Sequence, residues 1–471
     1  MPISPAFVEE MYAVVGPTGV ITDTRDLAPF LAEERGRYQG EASVVIQPQT
    51  TSQVAEVVQI CARDHVPIVP QGGNTGLCGG AVSAEGHVVM SLSRMNAIRA
   101  LDSVGLTATV EAGVLLADLQ QEALKHACLF PLSLASQGSC QIGGNISTNA
   151  GGVNVLRYGG MRDLCLGLEV VLADGTIWNG LKTLSKDNTG YALKHLFIGS
   201  EGTLGIITAA VLKLFPRPLH KKVAFCALSH VSRIPDLLYV ARCATDDHMS
   251  AFELISREAL ELACCHLDGI VDPFDVPWPW YVLLECTASQ ENADVHVKLE
   301  SFLTQALERN LIDDAVFAEN GRQEDMLWKM REGISEAQKR EGASIKHDIS
   351  VPLRSIPELL DSTMSAVLEA VPGIRPCPFG HVGDGNIHFN FMQPVDIAAS
   401  DFLNQSEKIN RIVHDHVIAM GGSISAEHGI GRLKVDDLFR YKENVEIETM
   451  QRIKKAFDPQ GLFNPGVILP P

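Results

Sequence analysis

The chain has 471 residues, 46% hydrophobic and 20% charged, which gives it apolar side chain for roughly two to four domains and too much for disorder. Its 38 Lys and Arg against 57 Asp and Glu leave a net charge of −19. That excludes a nucleic-acid binder, which needs basic surface to displace counterions, and disfavours an anionic membrane as partner.

The first residues, MPISPAFVEEMYAVVG, hold no basic stretch followed by an apolar one, so no secretory signal is expected. No apolar run reaches the roughly 18 residues of a membrane span. Eleven cysteines, without a CxxC and with Cys264 beside Cys265, read as reduced thiols packed as small hydrophobes in a cytoplasmic protein. Residues 1–38 form a helical preface. Val8, Met11 and Tyr12 recur at helical spacing, a second helix covers 26–34, and the charged run 33–37 reads as a solvated face. From Ala42 the pattern becomes a strand at 43–46, a helix capped by Thr51 or Ser52, and a second strand at 66–69 running into a glycine loop. Strands at 87–92 and 106–110 and a helix at 115–128 follow. Asp174-Gly175 marks a hairpin within 168–178, and a strand at 206–214 ends at Pro216 and Pro218. Beyond 219, strand-like runs at 223–228 and 280–286 alternate with amphipathic helices near 292–309, 324–341, 398–419 and 444–457.

Three glycine-rich tracts stand out. PQGGNTGLCGG (70–80) follows a strand directly, GSCQIGGNISTNAGG (138–152) follows a helix, and IGSEGTLGIIT (198–208) opens a strand. Consecutive glycines let several N–H groups converge on one concavity, a nest suited to phosphate; the plain alternative is a set of tight turns. No GxGxxG follows a strand, and no GxxxxGK[ST] is present. A Rossmann dinucleotide site and a P-loop are therefore excluded.

These tracts, with Arg157-Tyr158-Gly159 and SKDNTGY (185–191), resemble the FAD domain of the vanillyl-alcohol-oxidase/PCMH flavoprotein superfamily. The resemblance runs through nearly the whole chain and is closest to FAD-linked dehydrogenases of D-2-hydroxy acids. It implies an α+β fold: a PCMH-type two-subdomain FAD-binding domain at 39–218, then an α+β substrate- and metal-binding domain at 219–471 with a C-terminal helical segment. It also implies that Pro70, Gln71, Gly72, Gly73, Asn74, Thr75, Gly76, Gly79 and Gly80 wrap the FAD pyrophosphate. Gly138, Ser139, Gly143, Gly144, Asn145, Thr148, Asn149, Gly151, Gly152 and Tyr158 would line the adenine and flavin, as would Glu201, Gly202, Gly205, Ile206, Ile207 and Asn464. Residues 66–86 hold no histidine, so the FAD is expected to be non-covalent.

The chemistry sits in the second half. In GHVGDGNIHFNF (380–391), period two puts His388 and Asn390 on one face and Ile387, Phe389 and Phe391 on the other. His381 converges on His388 if the turn at Gly383-Asp384-Gly385 folds back. In SISAEHGIGRLK (423–434), Glu427 and His428 stand at a strand-to-loop junction. Two histidines and a glutamate suit a divalent ion with one open position; the alternative is a buried Glu427–His428 ion pair. Arg331, on a helix, can clamp a carboxylate, with Ser335 one turn later, and Lys346 on a strand at 346–352 supplies a compact charge. The resemblance assigns His381, His388 and Glu427 to Zn2+ or another divalent ion such as Mn2+ or Co2+. It makes His428 the catalytic base and places Arg331, Ser335, Lys346, Asn390 and His428 at the substrate. The reading is an FAD- and metal-dependent dehydrogenase that takes D-2-hydroxyglutarate to 2-oxoglutarate by hydride transfer to flavin N5. Electron-transferring flavoprotein is the implied acceptor, and a homodimer is left open. D-lactate or D-malate as substrate, a flavin-free metallohydrolase and a non-catalytic flavin module are the alternatives.

Overall fold

A computed structural model describes residues 3–471, which divide into two compact units. Met1–Gly151, Gly159–Arg217 and Glu427–Pro471 form the first, and Gly152–Tyr158 and Pro218–Ala426 form the second. The boundary read at Pro216 and Pro218 falls where the chain leaves the first unit. The C-terminal stretch, however, packs with the first unit rather than with the domain preceding it. Phe463 bridges Ile68 in parallel, and the Asn464 N–H donates to the Ile68 carbonyl at 2.8 Å.

In the first unit, the helix Thr51–Asp64 starts where the Thr50 hydroxyl accepts the Gln53 N–H and ends at His65 in the left-handed region, and it buries Val54, Val57, Val58 and Cys61. It is the crossover between Ala42–Ile46 and Ile68–Gln71, which lie parallel on either side of His87–Ser91; Val20–Ile21 adds an antiparallel edge. A second, antiparallel sheet runs Ile98–Asp102, Thr107–Glu111, Ile206–Lys213, Cys165–Val171, Ile177–Gly180. Its hairpin turns at Asp174-Gly175 as expected, with Gly175 at φ 80°. The strand Ile98–Asp102 escaped the sequence reading because half-exposed IRALD lacks a clear apolar face. The helical preface forms as Pro5–Val15 and Thr24–Leu31. Glu33 is not solvated: it is buried, and its Oε2 accepts the backbone N–H of Arg35 and Arg37.

The second unit is built on an antiparallel sheet in the order Asp314–Phe317, His220–Leu228, Trp280–Ala288, Met249–Ser256, Arg375–Gly380, Asn386–Met392, Ser344–Ile345, with Asp348–Ser350 also pairing to Asn386–Met392. One face packs under Ile234–Ala244, Val295–Glu308, Ile356–Ala370 and Ser406–Ala419, through Phe252, Leu254, Ile387, Phe389 and Phe391. The other packs under Arg257–His266, Gly321–Glu332 and Ile334–Glu341, through Ile255, Cys377, Phe379 and Met392. Four expected elements are broken, one of them the helix read near 398–419, which divides at Asn404-Gln405. The helix read across 324–341 is divided at Gly333. The strand read across 346–352 is interrupted at Lys346-His347, where the His347 N–H leaves the ladder for the Asn390 side chain. The strand before Glu427 reduces to a single bridge, Ser350 to Ser423.

Candidate functional site

The glycine tracts of the first unit do two jobs. Some are close approaches: a Cβ on Gly73 would stand 2.0 Å from the Ser139 carbonyl oxygen, and one on Gly143 2.7 Å from the Ala112 Cβ. Others open on space, since nothing lies within 4 Å of where a Cβ would stand on Gly76, Gly138 or Gly144. That free backbone surface is what a pyrophosphate needs in order to approach N–H groups. The polar side chains among the expected FAD residues instead hold the cradle in shape. Gln71 donates to the Phe30 carbonyl, Asn74 to that of Ala32, and Thr148 to that of Gly144, while the Asn149 Oδ1 accepts the Arg162 N–H. The preface helix Thr24–Leu31 and the residue after it are thereby tied to the first loop. Ile206 and Ile207 bury their side chains at the start of a strand. Tyr158 belongs to the short segment that packs with the second unit, where the Arg157 guanidinium lies 5.3 Å from its ring centroid. Asn464 donates to the carbonyls of Gly80 and Glu201, and its own buried Oδ1 has no protein donor, which suits a ligand N–H.

Glu201 does something else. Its Oε1 accepts the Ile430 N–H and its Oε2 the Gly431 N–H, each at 2.8 Å. Gly429, at φ 77°, lies so close that a Cβ there would stand 2.6 Å from Oε1. Burial pushes the Glu201 carboxyl above the usual carboxylate range in spite of these two N–H groups. The Cys78 carbonyl, in the first glycine loop, accepts the Arg432 N–H. Glu201 and the first glycine loop thus grip the segment that follows Glu427-His428. Within that pair, the His428 Nε2 is 3.8 Å from Glu427 Oε1 and both side chains are partly exposed. That is not a buried, hydrogen-bonded ion pair.

In the second unit, the hairpin from Arg375–Gly380 to Asn386–Met392 folds back through Val382–Asp384 and Gly385, at φ 89°. It brings the rings of His381 and His388 to 5.3 Å between centroids. Strand alternation puts His388 and Asn390 on one face, as the sequence indicated, and the register adds Phe379 and Cys377 opposite them. On the same face, Glu253 is 1% exposed and reaches both ways: Oε1 lies 2.8 Å from His381 Nδ1, and Oε2 accepts the Arg331 Nε–H at 2.9 Å. Arg331 is itself buried, with its guanidinium 4.9 Å from the Phe379 ring centroid. Its Nε edge is therefore spoken for, which leaves the Nη1–Nη2 edge for a second anion. Asp348 Oδ1 is 4.0 Å from His388 Nδ1 and accepts from Asn386. The Ala426 N–H donates to the Asp348 carbonyl, so the residue directly before Glu427 is fixed on this strand.

The remaining predicted residues fare differently. Asn390 is buried, its Oδ1 taken by the His347 N–H and its Nδ2 donating to Gln338 Oε1, so one N–H is left for a ligand. Lys346 is half-buried beside Cys377, whose thiol burial pushes up to about 12 against the pull of its neighbours. Ser335 is exposed on the second of the two helices, whereas Arg331 is buried on the first; they do not share one continuous helical face. Glu253 was missed altogether. Its signal was a single acid inside the apolar run SAFELI, a charge that burial forces to find partners.

Residues 217–468 match the family model of the FAD linked oxidase C-terminal domain, and 42–180 that of an FAD binding domain. The chain is 37% identical to the mitochondrial D-2-hydroxyglutarate dehydrogenase of Arabidopsis thaliana over 460 residues, 97% of this chain and 80% of that one. It is also 37% identical to that of Bos taurus over 472 residues, 100% and 85%. These names overturn the cytoplasmic placement expected from the sequence, since the relatives are mitochondrial proteins. The fold matches p-cresol methylhydroxylase with substrate bound at a TM-score of 0.74 and 18% identity, covering 99% of this chain and 98% of that one. The chain belongs to the family of FAD-linked oxidases that includes the D-2-hydroxyglutarate dehydrogenases, and it is an FAD-dependent hydroxy-acid dehydrogenase.

Proposed function

We propose that the chain oxidises D-2-hydroxyglutarate to 2-oxoglutarate with the help of a divalent ion, and that electron-transferring flavoprotein reoxidises it. The observation that carries the reading is the polar end of an otherwise apolar sheet face, where Arg331 and His381 meet the buried Glu253 and the His388 ring lies beside that of His381. His381, His388 and Glu427 would hold the ion, and the two imidazoles meet in one hairpin. When bound, FAD supplies the hydride acceptor and the ion supplies Lewis acidity that lowers the pKa of the substrate hydroxyl. His428 removes the hydroxyl proton, on a segment held by Glu201. The free edge of Arg331 binds one substrate carboxylate, and Lys346 meets the second. A buried carboxylate without a cation is strongly disfavoured, so this second cation favours a diacid over lactate. Asn390 contributes its one remaining N–H.

The test is anaerobic. D-2-hydroxyglutarate should bleach the flavin absorbance faster than D-malate, D-lactate or the L-enantiomer, and the bleached protein should recover colour on mixing with electron-transferring flavoprotein. Chelation should stop bleaching while the flavin stays bound. Preference for D-lactate, or a fully active metal-free preparation, would overturn the corresponding part.

A further inference from the structure

We propose that Glu253 is a positioning residue that sets the histidine of the metal site and the arginine of the substrate site with a single carboxylate; this rests on the metal reading above. Its two oxygens serve two partners: Oε1 is 2.8 Å from His381 Nδ1, and Oε2 accepts the Arg331 Nε–H with Nη2 at 2.6 Å. A carboxylate only accepts, so the ring nitrogen facing it carries the proton. That leaves the lone pair of His381 on Nε2, the tautomer a cation needs from a nitrogen pointing away from Glu253. The guanidinium is oriented by the same group. Its Nε edge is fixed on Oε2 and its plane lies near the Phe379 ring, so only the Nη1–Nη2 edge is left to meet an anion.

The position of Glu253 is not adjustable. Leu254 and Ile255 pair with Gly380 and Phe379, which puts Glu253 on the strand next to His381. Phe252 and Leu254 are packed on the opposite face, so the backbone has no slack to swing the carboxylate elsewhere. An ordinary buried ion pair would need only Arg331. The second contact, to an imidazole 128 positions away in the chain, is what the pair alone does not explain.

Glu253→Gln separates the two roles. An amide has one acceptor and one donor, so it cannot accept from both His381 and Arg331. If its NH2 faces His381, the ring must accept at Nδ1 and carry its proton on Nε2, which removes the lone pair from the metal side. Zn2+ affinity, measured by competition with a chromogenic chelator on the FAD-loaded protein, should fall about 10–100-fold, the scale for outer partners of metal ligands. Bound flavin should not change. Arg331→Met keeps the His381 contact and should retain wild-type Zn2+ affinity while KM for the diacid rises. Should Glu253→Gln not fold, judged by flavin content and melting temperature, the double variant Glu253→Leu/Arg331→Met removes the stranded arginine and leaves His381 Nδ1 with no acceptor at position 253. It should then bind Zn2+ about 10–100-fold more weakly than Arg331→Met. Wild-type Zn2+ affinity in Glu253→Gln, or equal affinity in the double and the Arg331→Met variants, overturns the proposal. His381→Ala is the control: if it binds Zn2+ as the wild type does, the metal reading itself fails, whatever Glu253 does.

Discussion

Replacing Glu201 by glutamine keeps the shape of the side chain and removes one of two acceptors. In the wild type, two backbone N–H groups, of Ile430 and Gly431, each end on a carboxylate oxygen at 2.8 Å. Glutamine turns an NH2 toward one of them and leaves a buried donor unsatisfied, which costs about 1–3 kcal/mol. Part of that is offset, because burial already works against the Glu201 carboxylate and pushes its pKa up. A net loss of about 1–2 kcal/mol then lowers the melting temperature by roughly 2–6 °C for a unit of this size. The catalytic effect should be larger. Ile430 follows His428 by two residues, and a base displaced by about 1 Å slows its step on the order of 10²-fold. Rapid-mixing reduction of the flavin by D-2-hydroxyglutarate reads this directly, with flavin content as the check on folding. Gly429→Ala should do the same by another route, since its Cβ would fall 2.6 Å from Glu201 Oε1 at a backbone φ of 77°. If both variants reduce the flavin at the wild-type rate, Glu201 does not position the base.

Four further outcomes follow from the site. His428→Ala should slow flavin reduction by about 10²–10⁴-fold with metal content unchanged; loss of metal would move His428 from base to ligand. Lys346→Ala should lower kcat/KM for D-2-hydroxyglutarate by about 2–5 kcal/mol in transition-state terms, with little change for D-lactate; equal losses remove Lys346 as the diacid selector. Acid precipitation should release yellow FAD into the supernatant, because residues 66–86 hold no histidine and their only thiol, Cys78, is buried; colour in the washed pellet refutes this. Glu169 sets an acid limb. Burial raises its carboxyl pKa, but Thr51, Thr208 and Arg99 more than reverse this and leave it below the ordinary value. A depressed folded pKa gives stability that is present above the unfolded value of about 4.3 and lost as pH falls through the folded one. The melting-temperature deficit of Glu169→Gln should therefore shrink between about pH 6 and pH 3, and a constant deficit would show that the linkage is absent.

Much of the fold was legible because local signals agreed with the tertiary result. The Thr51–Asp64 helix had an apolar stripe, although its cap is Thr50 and not Thr51 or Ser52, the Asp174-Gly175 hairpin had its turn, and the helix near 444–457 forms as Asn444–Phe457. The second unit was harder. Met249–Ser256 is buried on both faces, so it shows no alternation, and nothing in its sequence tells such a strand from a buried helix. The packing of the C-terminal stretch with the first unit was not legible for a different reason. Its contacts with the first unit include a one-residue bridge, Phe463 to Ile68, the Asn464 amide and the Glu201 hold on Ile430 and Gly431, none with a periodicity for a sequence to display.

For the site, the sequence pointed to the residues that would touch ligands, missed Glu253, and gave Glu201 as a flavin contact without its hold on the backbone at 430–431. His381 and His388 are seven apart around a glycine turn, a spacing that carries its own geometry, and the hairpin closes as that spacing requires. Glu253 and Glu201 lie far along the chain from the residues they hold, 128 positions from His381 and 229 from Ile430. Only the sheet register and the loop packing bring them there. Both are single acids within stretches that otherwise suit burial, and burying a carboxylate is costly unless donors meet it. That asymmetry makes a lone acid in an apolar run worth mutating on sequence grounds alone. Each must have found at least one donor, and here each found two: an imidazole and a guanidinium for Glu253, and the backbone amides of Ile430 and Gly431 for Glu201. A group that merely stabilised the fold would lose the same free energy wherever its donors lay. If the proposed roles hold, these two should lose function out of proportion to stability, because Glu253 holds Arg331 and His381 and Glu201 holds the backbone just beyond His428.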